Sequence, residues 1–357
     1  MIALIYQSAW GALGPTLARR LIAAGNEVSV FIRKENPGDQ KAGAGLPAEA
    51  VVAKSLAAAL KGAGVVITLL NTPQELEDVY LGNKGILEHA APESLFIDLS
   101  ASNPRLAKEL HALAAVHDHS YVEASIEGPA TMLETGDFRL LAAGEPDGLK
   151  QALPLLVALT PEVVEVGLPG NGSTLKLASQ IALAGALMGV VEAIMFAMAA
   201  GIPQDQILRA LETNPAAAFV AQAFGKKIID EDFYYGIELQ HFFADLTTAL
   251  DTADEFGLAL PGLETAHQLY DLLVLVGGAK KGIHALALIY CDEERSTKHG
   301  LNWELAQQAM DVYERASNGG YDDYEYDDEE CDDPNCPYHG HHLDDEPPLM
   351  GRFFSPN

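Results

Sequence analysis

Short apolar runs alternate with amphipathic segments along the first half of the chain. Ile2–Gln7 is almost entirely apolar and predicts a buried strand, whereas Leu13–Ala24 carries apolar residues at helical spacing and is followed by Gly25. The further predicted strands are Glu27–Arg33, Val65–Leu70, Leu95–Asp98, Tyr121–Ala124, Arg139–Ala143 and Val163–Val166, and the further predicted helices are Ser55–Lys61, Pro73–Tyr80 and Pro104–Ala115. This alternation predicts an α/β fold with a mostly parallel, doubly wound sheet that has helices on both faces.

The hydrophobic pattern changes after the glycine-rich stretch Gly167–Gly172. From Leu175 onward the apolar residues recur at helical spacing, and no convincing strand follows. We therefore predict an α/β domain over residues 1–167 and an all-helical domain over residues 168–316. Residues 317–357 hold twelve Asp or Glu, one Arg and few aliphatic side chains, so we expect an acidic, disordered tail.

One segment of the helical half is apolar enough to resemble a membrane span. Ile181–Ala200 consists almost entirely of Ala, Leu, Val, Ile and Met, and about 20 such residues would cross a bilayer. Glu192 interrupts the segment, however, and Gly201–Pro203 is a typical helix stop. A buried core helix is the favoured interpretation.

The composition limits which cellular compartments and which binding partners are expected. The net charge of −29 should repel nucleic acid and anionic membranes, so neither is expected as a general partner. Three cysteines are too few for a disulfide framework, which suits a reducing compartment. Because Met1 leads directly into an apolar strand without a basic segment, no signal peptide is visible and a cytoplasmic location is expected.

The turn after the first strand resembles a dinucleotide-binding fingerprint. Ala9, Trp10 and Gly11 are followed by Gly14 at the start of a helix, which is a Gly-x-Gly-x-x-Gly motif with alanine in its first position. Such a turn brings the backbone close to a pyrophosphate and points free helix N–H groups at it. The position, after the first strand and before the first helix, favours a nucleotide site of Rossmann type over a merely structural turn.

Two cations at the end of the second strand indicate which cofactor binds. Arg33 and Lys34 occupy the place where an acidic residue would bind the ribose hydroxyls of NAD. A cation there can pair instead with the 2′-phosphate of NADP. NADP is therefore favoured over NAD, and a solvated surface pair is the alternative.

With these pieces in order, the chain resembles the β-hydroxyacid dehydrogenases, a group that includes 3-hydroxyisobutyrate dehydrogenase and the 6-phosphogluconate dehydrogenases and is related to the imine reductases. The resemblance runs from about Ile2 to Tyr290. Besides the fingerprint and Arg33, it rests on three motifs, which are Phe96–Ser100 with Pro104, Glu123–Pro129, and Gly170–Lys176, a Gly-x-Gly-x-x-x-Lys sequence.

The resemblance implies a function and a set of site residues. Lys176 matches the family's general acid/base, and Leu70, Asn71 and Ser100 match positions beside the nicotinamide. Hydride can leave a carbon that bears a hydroxyl only if the hydroxyl proton is also removed, which a partly neutral lysine can do. Taken alone, Lys176 would be interpreted as a surface lysine at a helix start. The family also implies a homodimer that shares helical surface.

The chain departs from the family pattern where the substrate is expected to bind. Glu127, Gly128 and Pro129 stand where the family uses Ser-Gly-Gly to hold a carboxylate. Glu127 is expected to repel a carboxylate, and proline has no N–H to donate. Gln180 replaces an asparagine, and the family's Lys-Asp pair is Ala244–Asp245. We take Glu127, Gly128, Gln180 and Asp245 as candidate substrate residues. A substrate less anionic than the family norm, or even a cationic one, is expected.

The favoured hypothesis is an NADP-dependent oxidoreductase that transfers hydride between the cofactor and a small hydroxy or carbonyl substrate. An imine-reductase-like enzyme is one alternative, and Pro129 is consistent with it. A non-catalytic, nucleotide-binding sensor or scaffold is the other. The tail residues Cys331, Cys336 and His339 fit no common zinc module, so no metal site is assigned.

Overall fold

The computed structural model describes residues 1–7, 12–33, 43–100, 102–128, 138–234, 236 and 238–309. An eight-stranded sheet with the order β3-β2-β1-β4-β5-β6-β7-β8 forms its first part. The strands are β1 Ile2–Gln7, β2 Val28–Arg33, β3 Val51–Val52, β4 Val65–Leu69, β5 Leu95–Asp98, β6 Ser120–Glu127, β7 Arg139–Gly144 and β8 Glu162–Gly167. All neighbouring strands are parallel except β6 and β7. The predicted fold class is confirmed.

Within the described residues, six helices lie between these strands. They are α1 Leu13–Ala23, α2 Leu56–Leu60, α3 Pro73–Leu81, α4 Ile86–His89, α5 Pro104–Val116 and α6 Pro146–Leu159. Several begin as the sequence dictates. In α5, Pro104 occupies the first turn and the side chain of Asn103 accepts a hydrogen bond of 2.8 Å from the N–H of Leu106. The helix α6 was not predicted, because Gly148 and Pro154 interrupt its apolar pattern.

Apolar side chains cover both faces of the sheet, as expected for a doubly wound fold. Alternate residues of a strand point to opposite faces, so Leu4 and Tyr6 enter one core with Leu17 of α1. Ile5 enters the other core, which also contains Tyr80 and Phe96. The central strands β1, β4 and β5 are buried on both sides, which explains why their sequences are continuous apolar runs.

The chain divides into two compact units. The first comprises Met1–Leu183 and Asp245–Leu260, and the second comprises Ala184–Ala244 and the described residues from Pro261 onward. The helices after the sheet are α7 Asn171–Ala199, α8 Gln204–Glu212, α9 Ala218–Val220, α10 Lys226–Ile229, α11 Leu239–Glu255, α12 Pro261–Leu273 and α13 Glu293–Lys298. The first unit therefore includes residues from both predicted domains, and the boundary between residues 167 and 168 stays a prediction.

The long apolar helix α7 is buried along one side only. Leu187, Val191 and Ile194 are buried, whereas Phe196 is 78% exposed. Among the described residues, this helix is long and apolar enough to span a membrane, with 28% of its most apolar window buried. The interpretation as a core helix thus holds for one face. Glu192 is exposed and accepts a hydrogen bond of 3.1 Å from the hydroxyl of Tyr290.

A charge cluster around Glu231 predicts how the stability of the second unit depends on pH. The carboxylate accepts hydrogen bonds from Lys298 at 2.6 Å and His299 at 2.9 Å, and Arg295 lies 3.0 Å away. These hydrogen bonds and cations lower the pKa of Glu231 to about 2. At pH values between the ordinary pKa of a glutamate and the lowered pKa of Glu231, the unfolded chain binds more protons than the folded one. The free energy of unfolding therefore falls as the pH falls. Other carboxylates titrate over the same range, so a matched variant is needed.

We therefore expect the unfolding temperature to drop between pH 5 and pH 2 more steeply in the wild type than in Glu231→Gln. Scanning calorimetry of both proteins across that range measures the difference. Parallel curves would show that Glu231 contributes nothing to the acid sensitivity.

Candidate active site

The carboxyl ends of the parallel strands bring several predicted site residues to one edge of the sheet. Gln7 ends β1 and Arg33 ends β2, while Leu70 and Ser100 follow β4 and β5 within two residues. The strand order reverses beside β1, which has β2 on one side and β4 on the other. Ligands of open α/β sheets bind at such a switch point. The Oε1 atom of Gln7 is buried there without a hydrogen-bond partner among the described residues.

Gly14 allows the first helix to approach the first strand. A Cβ on residue 14 would lie 2.5 Å from the ring of Tyr6, which is closer than real contacts permit. At the start of this helix, Ala12 is the N-cap and provides no side-chain hydrogen bond to the first turn. The N-terminus of α1 can thus receive an anion. Ala9, Trp10, Gly11 and Lys34 lie outside the described residues.

Gly14→Ala should destabilise the protein by about 1–3 kcal/mol, because the added methyl group overpacks the core against a fixed aromatic ring. Urea unfolding followed by circular dichroism measures the change. Gly64→Ala is the matched control, since a Cβ at that position meets nothing within 4 Å. Equal stabilities of the two variants would rule out the close contact.

Arg33 is tied to the loop after β4 through Glu75. Its Nη1 donates to the backbone carbonyl of Glu75 at 3.5 Å, and the Glu75 carboxylate accepts from the N–H of Asn71 at 3.1 Å. Thr72 completes the helix start by accepting from the N–H of Glu75 at 3.2 Å. Glu75 was not predicted as a site residue, although threonine followed three residues later by glutamate is a capping signal.

Asp98 organises the loops that follow β4 and β5. Its carboxylate accepts from the hydroxyl of Thr68 at 2.8 Å, from the hydroxyl of Tyr121 at 3.0 Å and from the N–H of Ser100 at 3.0 Å. The hydroxyl of Ser100 in turn accepts from the N–H of Leu70 at 3.0 Å. Burial raises the pKa of Asp98, and these hydrogen bonds oppose the rise. Because Leu70 is fully buried, its backbone is the part that can face a cofactor.

Lys176, Gln180 and Asp245 converge in the first unit. The Nζ atom of Lys176 lies 3.0 Å from one carboxylate oxygen of Asp245, and the side-chain amide of Gln180 donates to the other at 3.0 Å. Lys176 and Asp245 are 17% and 18% exposed, so the ion pair is largely removed from water yet still accessible. Asp245 thus holds the amine by a charge-assisted hydrogen bond and is itself held by Gln180.

The helix that carries Lys176 begins on a buried carboxylate, Glu123. One oxygen of Glu123 accepts from the N–H of Gly170 at 2.9 Å, and the other accepts from the N–H of Ser173. Burial raises the pKa of Glu123, and the hydrogen bonds from Ser173 and Gly170 oppose that shift. Glu123 was predicted only as part of a family motif, without a role. A carboxylate inside an apolar strand was the available signal, since such a group must find donors.

A neighbouring cation compensates the negative charge of Glu127. Glu127 lies opposite Arg139 in the β6–β7 pair, and Nε of Arg139 donates to Oε2 of Glu127 at 2.9 Å. The expected repulsion of a carboxylate is therefore reduced, because the hairpin register brings a cation to the same place. Gly128 follows with φ +147°. Pro129 lies outside the described residues.

Two family models match consecutive parts of the chain. Residues 10–167 match the family described as the NAD binding domain of 6-phosphogluconate dehydrogenase. Residues 170–290 match the family described as NAD-binding of NADP-dependent 3-hydroxyisobutyrate dehydrogenase. Both matches cover residues of the candidate site, which include Arg33, Asp98 and Glu123 in the first and Lys176 and Asp245 in the second.

Individual proteins are similar over most of the chain. A protein of Arabidopsis thaliana named probable 3-hydroxyisobutyrate dehydrogenase-like 1, mitochondrial, is 32% identical over 78% of this chain and 82% of its own length. An uncharacterized oxidoreductase of Bacillus subtilis, YkwC, is 27% identical over 77% of this chain and 94% of its own length. The solved structure of Mycobacterium tuberculosis 3-hydroxyisobutyrate dehydrogenase with L-serine has a TM-score of 0.71 and 24% identity, covering 80% of this chain and 98% of that one.

Proposed function

Because the chain belongs to the β-hydroxyacid dehydrogenase family, we propose that it transfers hydride between NADP(H) and a small hydroxy or carbonyl substrate, with Lys176 as the general acid/base. Membership makes it an NAD-binding oxidoreductase. The finer proposal rests on one observation, the convergence of Lys176, Gln180 and Asp245. An amine that is held by a carboxylate and largely shielded from water is arranged to move a proton.

The described residues fit a dinucleotide. Gly14 permits the close helix–strand packing, the start of α1 offers N–H groups without a side-chain cap, and Gln7 keeps a buried oxygen without a partner among the described residues. Arg33 is positioned to pair with a 2′-phosphate, which supports NADP over NAD. Leu70, Asn71 and Ser100 form the edge expected beside the nicotinamide. When bound, the cofactor supplies or accepts the hydride.

Lys176 handles the proton that accompanies the hydride. In the reduction direction its ammonium group donates a proton to the carbonyl oxygen, and in the oxidation direction the neutral amine removes the hydroxyl proton. Asp245 orients the amine, and Gln180 fixes the second oxygen of Asp245. Because Lys176 remains partly exposed, a substrate oxygen can approach its Nζ atom.

The substrate class is proposed from the charges of the substrate loop and of residue 244. Glu127 brings a carboxylate to the substrate loop, Arg139 compensates it, and Ala244 provides no cation where the family has one. Gly128 can present its backbone to the substrate. The missing cation at Ala244 supports a substrate that is less anionic than the usual hydroxy acids of the family.

A panel of substrates tests the proposal against its alternatives. The protein is mixed with NADPH or NADH and with aldehydes, keto acids and cyclic imines, and absorbance at 340 nm is followed. Turnover of carbonyl compounds supports the proposal. Turnover of imines alone would replace it by an imine-reductase activity, and cofactor binding without any turnover would indicate a sensor or scaffold.

Assembly and location are proposed on separate grounds. The side of α7 that carries Phe196 exposes mostly small residues over several turns, together with Leu175 and the charged Glu192, which supports a homodimer that covers this face. The composition supports the cytoplasm as the location. Sedimentation analysis of the purified protein and of Phe196→Glu separates a dimer from a monomer.

A further inference from the structure

We infer that Glu123 is a positioning residue for catalysis, whose carboxylate fixes the helix that carries Lys176. The inference rests on the proposed role of Lys176 and adds a residue to which the family resemblance assigns no part. Glu123 is 1% exposed and lies in the middle of β6, so it cannot touch a substrate. It acts on the reaction through the helix start.

The carboxylate replaces a cap that the sequence of α7 does not supply. Helix N-termini leave N–H groups without intrahelical partners, and a side chain within the next turn commonly satisfies them. Here the acceptor comes from a strand 47 residues earlier, and it serves both Gly170 and Ser173. A negative charge at this end of a helix is also stabilised by the helix dipole.

The two glycines of the Gly-x-Gly-x-x-x-Lys motif lie where side chains would not fit, and Gly172 lies directly against Glu123. A Cβ on residue 172 would lie 3.0 Å from the carboxyl carbon of Glu123 and 2.9 Å from the carbonyl oxygen of Leu141. Gly170 adopts φ +91°, and a Cβ there would lie 3.0 Å from the carbonyl oxygen of Pro104. Glycine at 172 therefore lets the helix start approach the carboxylate, and glycine at 170 permits the backbone conformation that precedes it. The start of the helix is thus fixed one turn before Lys176.

Glu123 also belongs to a row of polar groups across the sheet. Thr68, Asp98 and Glu123 are neighbours in register on β4, β5 and β6. Asp98 accepts from the N–H of Ser100, and the hydroxyl of Ser100 accepts from the N–H of Leu70, so that Asp98 fixes two residues that flank the expected cofactor site. Glu123 accepts from the N–H of Gly170 at the start of the helix that carries Lys176. The same row of polar groups therefore fixes the backbone both beside the expected cofactor and at the start of the helix that carries Lys176. The negative charge of Asp98 makes ionisation of Glu123 less favourable, which is a cost a purely apolar strand would avoid.

The test uses Glu123→Gln and Glu123→Asp in the full-length protein. Glutamine keeps the volume but offers only one acceptor oxygen, whereas aspartate keeps the charge on a shorter side chain. We expect Glu123→Gln to lower kcat about tenfold with KM values for NADPH and substrate changed less than threefold, and Glu123→Asp to recover most of the loss. Ser55→Ala, which removes the cap of α2, is the control and should leave kcat unchanged.

Hydrogen exchange at the amides of residues 170–173 provides a readout that does not depend on turnover. Exchange should quicken in Glu123→Gln and stay near the wild-type rate in Glu123→Asp. A folded Glu123→Gln with wild-type kcat, or with unchanged exchange, would overturn the inference. If Lys176→Ala also retains full activity, the proposed function fails instead, and the exchange experiment still decides whether Glu123 fixes the helix.

Discussion

Lys176→Ala should lower kcat by roughly 1,000-fold while the dissociation constant of NADPH stays within a factor of two. The size of the loss is that of an acid/base group removed from a proton-transfer step. Cofactor binding should persist because the residues expected to hold the dinucleotide, Gly14 and Arg33, lie on other elements. Steady-state kinetics and fluorescence titration with NADPH measure the two quantities.

Two further variants distinguish the loss of proton transfer from the loss of the ion pair between Lys176 and Asp245. Lys176→Arg keeps a cation for Asp245 but cannot lose its proton, so it should be nearly as inactive as the alanine variant. Lys227→Ala breaks another lysine–carboxylate pair of 3.0 Å, with Asp232, and should leave kcat unchanged. Added ethylamine should restore part of the activity of Lys176→Ala. An active Lys176→Arg would contradict the proposed proton transfer.

Arg33→Ser should reduce the preference for NADPH over NADH by roughly 100-fold in kcat/KM. Two charge-assisted hydrogen bonds to a 2′-phosphate account for a change of this order. Arg33→Asp should go further and favour NADH, because a carboxylate at the end of β2 can accept hydrogen bonds from the ribose hydroxyls. Kinetics with both cofactors at a fixed substrate concentration give the ratio.

Arg19→Ser is the matched control for this prediction. Like Arg33, Arg19 donates to a backbone carbonyl, that of Gly45 at 3.2 Å. Arg19→Ser therefore removes the same charge as Arg33→Ser. The ratio of the two cofactors should not change in this variant. An equal drop in both arginine variants would point to a general field effect, and Arg33 would then not determine the cofactor preference.

The apolar pattern predicted most of the sheet because strands such as β1, β4 and β5 are buried on both faces. Each such strand is a short continuous run, and the alternation with helices implies parallel pairing. The antiparallel pair of β6 and β7 was not predicted, since a buried run looks the same in either direction. The helix α6 was missed because its glycine and its proline weaken the helical pattern.

The candidate site was predictable only in part. Lys176, Gln180 and Asp245 were singled out separately, and 65 to 69 residues separate Asp245 from the other two. Their contact depends on the fold, which no local pattern encodes. Glu127 shows the reverse case. Its charge looked repulsive because its partner, Arg139, is only apparent once the hairpin register is known.

The division of the first compact unit into two chain segments has a consequence for protein synthesis. Residues 184–244 lie between the segment that contains Lys176 and the segment that contains Asp245. During translation, Lys176 is therefore synthesised long before Asp245. Any shortened chain that stops before residue 245 carries the lysine without its anchor, so the site can be assembled only after most of the polypeptide has been made.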